Sequence, residues 1–275
     1  MSDDDLHADR AILRRHAADA TLMAGGAAAI LLQLADPRIA AGVARHSRFR
    51  ERPLDRLVAT HGYLTALVFG DEGDIRHAAR IVDARHARVR GSGEPGYDAR
   101  DPDAQRWVAA TLLAVALELE ERLRGAPLDA RTADALVRGY APIAARLQGG
   151  PAGWPDSRAD FEAWWTERLT RLRVGDDARA VARDLLGGPG LPPALALLMP
   201  PVRLVTAALL PPALRDAYGF RWTPRARRVA GAWIAALAVA RRVLPAPVRA
   251  VPTSRSLRRL RRRTRYAVSD PRGRG

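Results

Sequence analysis

His86 and Arg90 stand four residues apart in the run Ile81-Val82-Asp83-Ala84-Arg85-His86-Ala87-Arg88-Val89-Arg90-Gly91. On a helix, both side chains leave from one face. A neutral imidazole can give a lone pair to iron, and a guanidinium one turn away can neutralise a carboxylate, so the pair suits a haem and its propionates. Arg56 and Thr60 repeat the spacing upstream in Arg56-Leu57-Val58-Ala59-Thr60-His61, and two like-facing pairs could frame a pocket. The same spacing equally serves a histidine among arginines on a solvated helix face, and spacing does not separate the two readings.

The surrounding pattern is helical throughout. Arg52-Pro53-Leu54-Asp55 reads as a helix start that runs to about Phe69, where Gly70-Asp71-Glu72-Gly73 ends it. Asp74 then resembles an N-cap for a helix carrying His77 and His86, closed by the glycines from Gly91 to Gly96. These two helices hold all four candidates. Before them, helices are expected near Ala11 to Ala20 and Ala27 to Ala35, the second bounded by Pro37. Further helices are expected from Asp101-Pro102 to about Arg124, Asp129 to Leu147, Ser157 to Arg173, Asp176 to Leu186 and Val229 to Ala240. Pro200-Pro201 interrupts the apolar stretch Ala194 to Leu210, which reads as short helices packed in a core or dipping into a membrane surface. Trp154, Trp164 and Trp165 read as core or docking residues rather than a substrate platform. No strand pattern of convincing length and no internal repeat is present.

Composition narrows the chemistry. The chain has 275 residues, of which 48% are hydrophobic, enough for one large core. Its net charge of +15 would ordinarily suggest nucleic acid or an anionic membrane as partner. All 45 basic residues are arginine, however, as a GC-rich genome produces, and the charge is uneven. Nine arginines and Asp270 lie between Arg255 and Gly275, so the last 21 residues carry +8 and read as a solvated, disordered basic tail. Sequence-specific nucleic-acid recognition has little support, because no aromatic interleaving beyond Tyr266 and no zinc or RNA-binding module accompanies that tail. With no cysteine, disulfides, iron–sulfur clusters and thiolate-ligated haem are excluded, so an iron ligand must be histidine, methionine or tyrosine. Phosphate-binding loops, dinucleotide fingerprints, zinc-protease and serine-hydrolase motifs are absent from the sequence. The acidic start Met1-Ser2-Asp3-Asp4-Asp5 does not resemble a signal peptide, and a cytoplasmic location, peripheral at a membrane, is expected.

The chain carries, in order, Leu31-Leu32-Gln33-Leu34-Ala35-Asp36-Pro37, Ala41 to Ser47, Arg56 to Thr60, Val68-Phe69-Gly70, His86 to Gly91, Trp107 to Leu112, Leu209-Leu210-Pro211-Pro212 and Ala217-Tyr218-Gly219. Through these segments it resembles the MpaB-type oxygenase family, which includes the rubber oxygenases or latex-clearing proteins. The resemblance covers most of residues 20 to 245. The order and spacing of these pieces, more than any one of them, are specific.

The resemblance implies an all-α fold, a single large domain of about eight to ten helices around a haem-sized pocket, with haem b as cofactor. It assigns His86 as the iron ligand and Arg90, Arg56 and Thr60 as polar pocket residues, with Arg56, Thr60 and Asp36 the catalytic candidates. It also places the helix beginning at Gly25-Gly26-Ala27 against the haem, where small residues would allow close approach. Many relatives have histidine where this chain has Asp36 and Ala109, and rubber-cleaving members can carry a lysine at the place of Ala59. Asp36 could serve as an acid or base near bound oxygen or cap the turn at Pro37, and the cap is the simpler role. The expected organisation is a flexible 1–10, a catalytic-type domain over 11–250 and the basic tail over 251–275. The function implied is haem-dependent oxidation of an apolar, unsaturated small molecule by dioxygen. The alternative is a haem-free or inactive helical binding protein of the same fold, its tail contacting anionic lipid or nucleic acid.

Overall fold

The computed structural model describes residues 2–46, 55–148, 150, 153–187 and 196–269, with the side chains at 55, 56 and 263–269 outside that description. The expected helix start at Arg52-Pro53-Leu54, the turn Gly188-Pro189-Gly190, Pro192-Pro193 and the end of the tail from Asp270 also lie outside it.

The fold is all-α, and one long helix explains most of it. Helix α6 (Pro102–Arg124) starts where Asp101 caps the Ala104 amide with Pro102 in the first turn, and ends at Gly125, whose φ of 74° puts it in the left-handed region. It is buried on two sides. Trp107, Val115 and Leu119 face a first core shared with α2 (Gly26–Leu34), α3 (Pro37–His46), α10 (Asp176–Gly187), α11 (Met199–Leu209) and α13 (Pro224–Val243). Ala109, Leu113 and Leu117 face a second core shared with α4 (Asp55–Phe69), α5 (Glu72–His86), α7 (Ala130–Tyr140), α8 (Pro142–Ala145) and α9 (Arg158–Thr170). A helix apolar on two faces serves as the axis of a domain.

α1 (Asp3–Ala17) packs on α7, and a 3-10 helix over Ala20–Gly25 leads from it into α2. The short α12 (Pro212–Ala217) precedes α13, and α14 (Ala246–Arg249) follows it. Among the described residues, no single helix is long and apolar enough to cross a membrane.

Several local expectations change. The second helix ends at Leu34 just before Pro37, as expected, but Pro37 also opens α3, and Pro200-Pro201 lies in the first turn of α11 rather than breaking it, both through the tolerance of a first turn for a residue without N–H. The stretch Asp129 to Leu147 is divided at Pro142 into α7 and α8. A two-residue ladder, unforeseen, pairs β1 (Arg90–Gly91) with β2 (Tyr97–Asp98). Residues 251–269, expected as a disordered tail, form α15 (Val251–Ser269), which packs along α4 and α5. The described helices outnumber the eight to ten expected because prolines split several apolar segments into short pieces.

Candidate functional site

Helices α4 and α5 form a hairpin closed by Gly70 and Asp71. Asp71 accepts from the Asp74 amide at 2.8 Å and Asp74 reaches back to the Asp71 amide, so the N-cap is Asp71 and not Asp74. Arg56 lies 13 residues before Phe69 and His86 lies 14 residues after Glu72. At about 1.5 Å of rise per residue, both backbones stand roughly 20 Å from the turn, at the open end of the hairpin. Thr60 lies one turn inward on α4. The hairpin therefore brings Arg56, Thr60 and His86 toward one end of two packed helices. The Arg56 side chain lies outside the described residues.

His86 is half-buried, with Nδ1 screened from solvent, and Thr60 is half-buried too. Arg90 departs from the expected arrangement. α5 stops at His86, the Val89 amide turns back to the His86 carbonyl at 2.9 Å, and Arg90 is exposed on β1. The shared-face argument for His86 and Arg90 fails because the helix that it requires ends between them. The cause is non-local. A Cβ built at Gly91 would stand 2.6 Å from the Tyr97 ring, one at Gly42 would stand 3.1 Å from the same ring, and the His46 ring nitrogen Nε2 lies 2.8 Å from the Tyr97 hydroxyl. Tyr97 pins this strand pair onto α3, and the pinned chain cannot continue as α5.

Asp36 is buried and its carboxylate is fully engaged. Oδ1 accepts from the Arg38 amide at 3.0 Å, the capping interaction for α3, and from Arg38 Nε at 3.2 Å. Oδ2 accepts from Arg38 Nη2 at 2.9 Å and Arg168 Nη2 at 3.1 Å, and both arginines continue to Asp103 at 2.8 and 2.9 Å. The hydrogen bond from Arg38 to Asp36 pushes the guanidinium pKa further above its ordinary range. None of these partners comes from α4 or α5, so Asp36 belongs to a network built from α3, α6 and α9. Asp36→Ala removes a cap and three charge-assisted contacts from two partly buried arginines. The expected loss is about 2–4 kcal/mol of unfolding free energy in denaturant titration, and an unchanged midpoint would refute the network's role.

The space that the resemblance reserves beside Gly25 and Gly26 is filled by protein. A Cβ at Gly26 would lie 2.5 Å from Leu57 Cδ1, and one at Gly25 would lie 2.5 Å from Val115 Cγ1. The glycines allow close helix packing here, against α4 and α6. Ala109 is buried in the second core and Ala59 is half-buried on α4. A cavity of about 360 Å³ lies elsewhere, lined by Leu169, Leu172, Val174, Pro211 and Leu214 among others.

His61 is held by a tertiary contact. His61 Nδ1 lies 3.0 Å from Ser256 Oγ of α15, and burial lowers its pKa, so the ring is neutral at pH 7. A second buried cluster had no visible signal in the sequence. Glu120, on α6, accepts from both Arg241 Nη atoms at 2.9 Å and from Arg124 Nε at 2.9 Å, and its Oε2 lies 3.3 Å from His16 Nδ1. Arg241 Nε also reaches Asp19 at 2.9 Å, and Arg249 joins Asp19 from α14. Burial disfavours the ionised Glu120, but hydrogen bonds from His16, Arg241 and Arg124 outweigh it and hold the carboxyl below the usual range.

The donor set suits a haem in part. His86 offers an imidazole of the right type, with one nitrogen out of solvent, and Thr60 offers a hydroxyl on the adjoining helix. Arg90 does not fit. Among the described residues, no group of three histidine, aspartate or glutamate side chains could hold a metal ion.

The catalytic-domain family described as "ER-bound oxygenase mpaB/B'/Rubber oxygenase" matches residues 13–244. The chain belongs to this oxygenase family. It is similar to the uncharacterized proteins Rv2237 of Mycobacterium tuberculosis and Mb2261 of Mycobacterium bovis, each 30% identical over 226 residues that cover 80% of this chain and 88% of the relative. No solved structure matches the chain.

Proposed function

We propose that the chain is a haem b-dependent oxygenase that acts on an apolar, unsaturated small molecule with dioxygen. His86 is the iron ligand in this reading, and Thr60 and Arg56 are the polar groups around the macrocycle. The observation that carries it is the register of the α4–α5 hairpin, which puts these three positions at one open end. When bound, haem would supply the iron chemistry that activates oxygen. The protein's part is to hold an imidazole against the metal and to place a hydroxyl and a guanidinium where a propionate or an oxygen atom needs a hydrogen bond. Arg90 has no role in this reading.

A haem-free binding protein of the same fold is the second reading. It draws support from Leu57 and Val115 occupying the space beside Gly26 and Gly25, and from the saturation of Asp36 by arginines. One experiment separates the two. Protein purified with haem supplied during expression should show a Soret band that shifts on dithionite reduction and is largely lost in His86→Ala, while Arg90→Ala should leave it intact. A colourless wild-type protein that takes up no added hemin would defeat the first reading and favour the second.

A further inference from the structure

Helix α13 carries its apolar residues on the wrong side for a core helix. From Val229 to Ala240 it contains no charged residue, yet Trp233 is 43% exposed and Val239 56%, and Gly231, Ala232, Ala235 and Ala236 are exposed as well. Val243 continues the surface at 73% exposed. Ala230 and Ile234 alone are deeply buried on the opposite face, and there α13 packs on α6 and α11. Leu197 and Leu198, just before α11, are exposed too. Scattered exposed apolar side chains are ordinary, but a continuous uncharged helical face with a tryptophan at its centre marks a surface with a partner.

The flanking charge identifies that partner. Arg225, Arg227 and Arg228 are exposed before the uncharged stretch and Arg242 after it. Between Ala217 and Ser269 the chain holds fourteen arginines and no aspartate or glutamate. A second copy of the chain would bring the same positive charge, which disfavours self-association through this face. A nucleic acid would satisfy the arginines but leave the valines and alanines without an apolar contact. An anionic bilayer surface satisfies both, with the tryptophan at headgroup depth, the small apolar residues in the outer acyl region and the arginines on lipid phosphates. The uncharged stretch is 12 residues, about 18 Å at helical rise, well short of the roughly 30 Å hydrocarbon core, so the helix must lie along the surface rather than cross it.

We propose that the outer face of α13, centred on Trp233 and Val239, is a membrane-docking surface that seats the protein in the plane of an anionic lipid leaflet, with the arginines at its two ends bound to headgroups. This holds whether or not haem is bound. It places the protein where apolar molecules are dissolved.

The full-length protein is mixed with phosphatidylcholine vesicles, with or without about 30% phosphatidylserine, and floated on a density gradient. Wild type should float with the anionic vesicles, less so at 0.5 M salt. The double variant Trp233→Asp/Val239→Asp should partition at least about tenfold more weakly while keeping its circular dichroism and elution volume, since both positions are exposed. As a fold-neutral check, brominated lipid should quench wild-type tryptophan fluorescence more than that of Trp233→Phe. The proposal is overturned if wild type does not float, or if the double variant floats as well as wild type. It is equally overturned if Arg258→Gln/Arg259→Gln/Arg262→Gln on α15 abolishes binding while the α13 variant does not. Binding to polynucleotide but not to vesicles, or a change only from dimer to monomer in the α13 variant, would assign the face to a different partner and reject it as well.

Discussion

Trp107→Ala should cost about 3–5 kcal/mol of unfolding free energy, measured by denaturant titration, because it empties the site of the largest fully buried side chain among the described residues. The indole lies where α2, α6 and α9 meet. Its ring stacks on Trp165 at 5.0 Å between centroids, Nε1 donates to the Leu32 carbonyl at 3.2 Å, and the Arg168 guanidinium lies 5.6 Å from the ring. Alanine would remove the packing atoms, the donor and the surface that orders Arg168 together. Trp107→Phe keeps most of the volume and loses the donor, so its loss should be distinctly smaller. Equal losses for the two variants would show that the hydrogen bond, and not the packing, dominates.

Arg241→Ala should produce the second large loss, on the order of 3 kcal/mol. Removing one partner of a buried pair typically costs about 3–5 kcal/mol, and the low end applies because Arg124 and His16 remain on Glu120 and Arg249 on Asp19. A thermal melt should fall by about 6–12 °C if a domain of this size loses roughly 2–4 °C per kcal/mol. The pH dependence gives an independent reading. The Glu120 carboxyl is held below its ordinary value of 4.5, so the unfolded state binds its proton more readily than the folded state. The stability it contributes is complete above that value and is lost as pH falls below it toward the folded value. Arg241→Ala relieves part of the depression, so the acid-side decline attributable to Glu120 should become shallower. A variant that tracks the wild-type curve at every pH would show that the cluster is not coupled to folding.

Local signals were legible and non-local ones were not. Asp101-Pro102, Asp129 and Ser157 announce helix starts because a cap is made within three residues of itself, and all three accept the amides that their sequence neighbours supply. Pro200 misled because a proline that cannot continue a helix is equally suited to begin one, and the helix that Pro37 opens after closing off α2 was missed for the same reason. The pairing of His86 with Arg90 failed on a contact with Tyr97, a ring that no helical periodicity around His86 could announce. The cluster around Glu120 lay beyond reach for the same reason, since Arg241 is 121 residues away. At the candidate site, the hairpin that gathers Arg56, Thr60 and His86 could be read from the turn Gly70-Asp71 and the two helices beside it. What fills the space next to Gly26 could not.

Helix α15 lies past residue 244, where the family match ends, yet it holds the hairpin from outside. Ser256 meets His61, Arg261 meets Asp74 at 3.0 Å, and Arg249 just before it meets Asp19. A gene trimmed to the shared oxygenase region would take Arg261 from Asp74, leave Asp19 with Arg241 alone, and bare the outer side of α4. For this chain, the smallest piece worth producing in the laboratory is therefore longer than the region that it has in common with its relatives, and a purification handle belongs at its amino end.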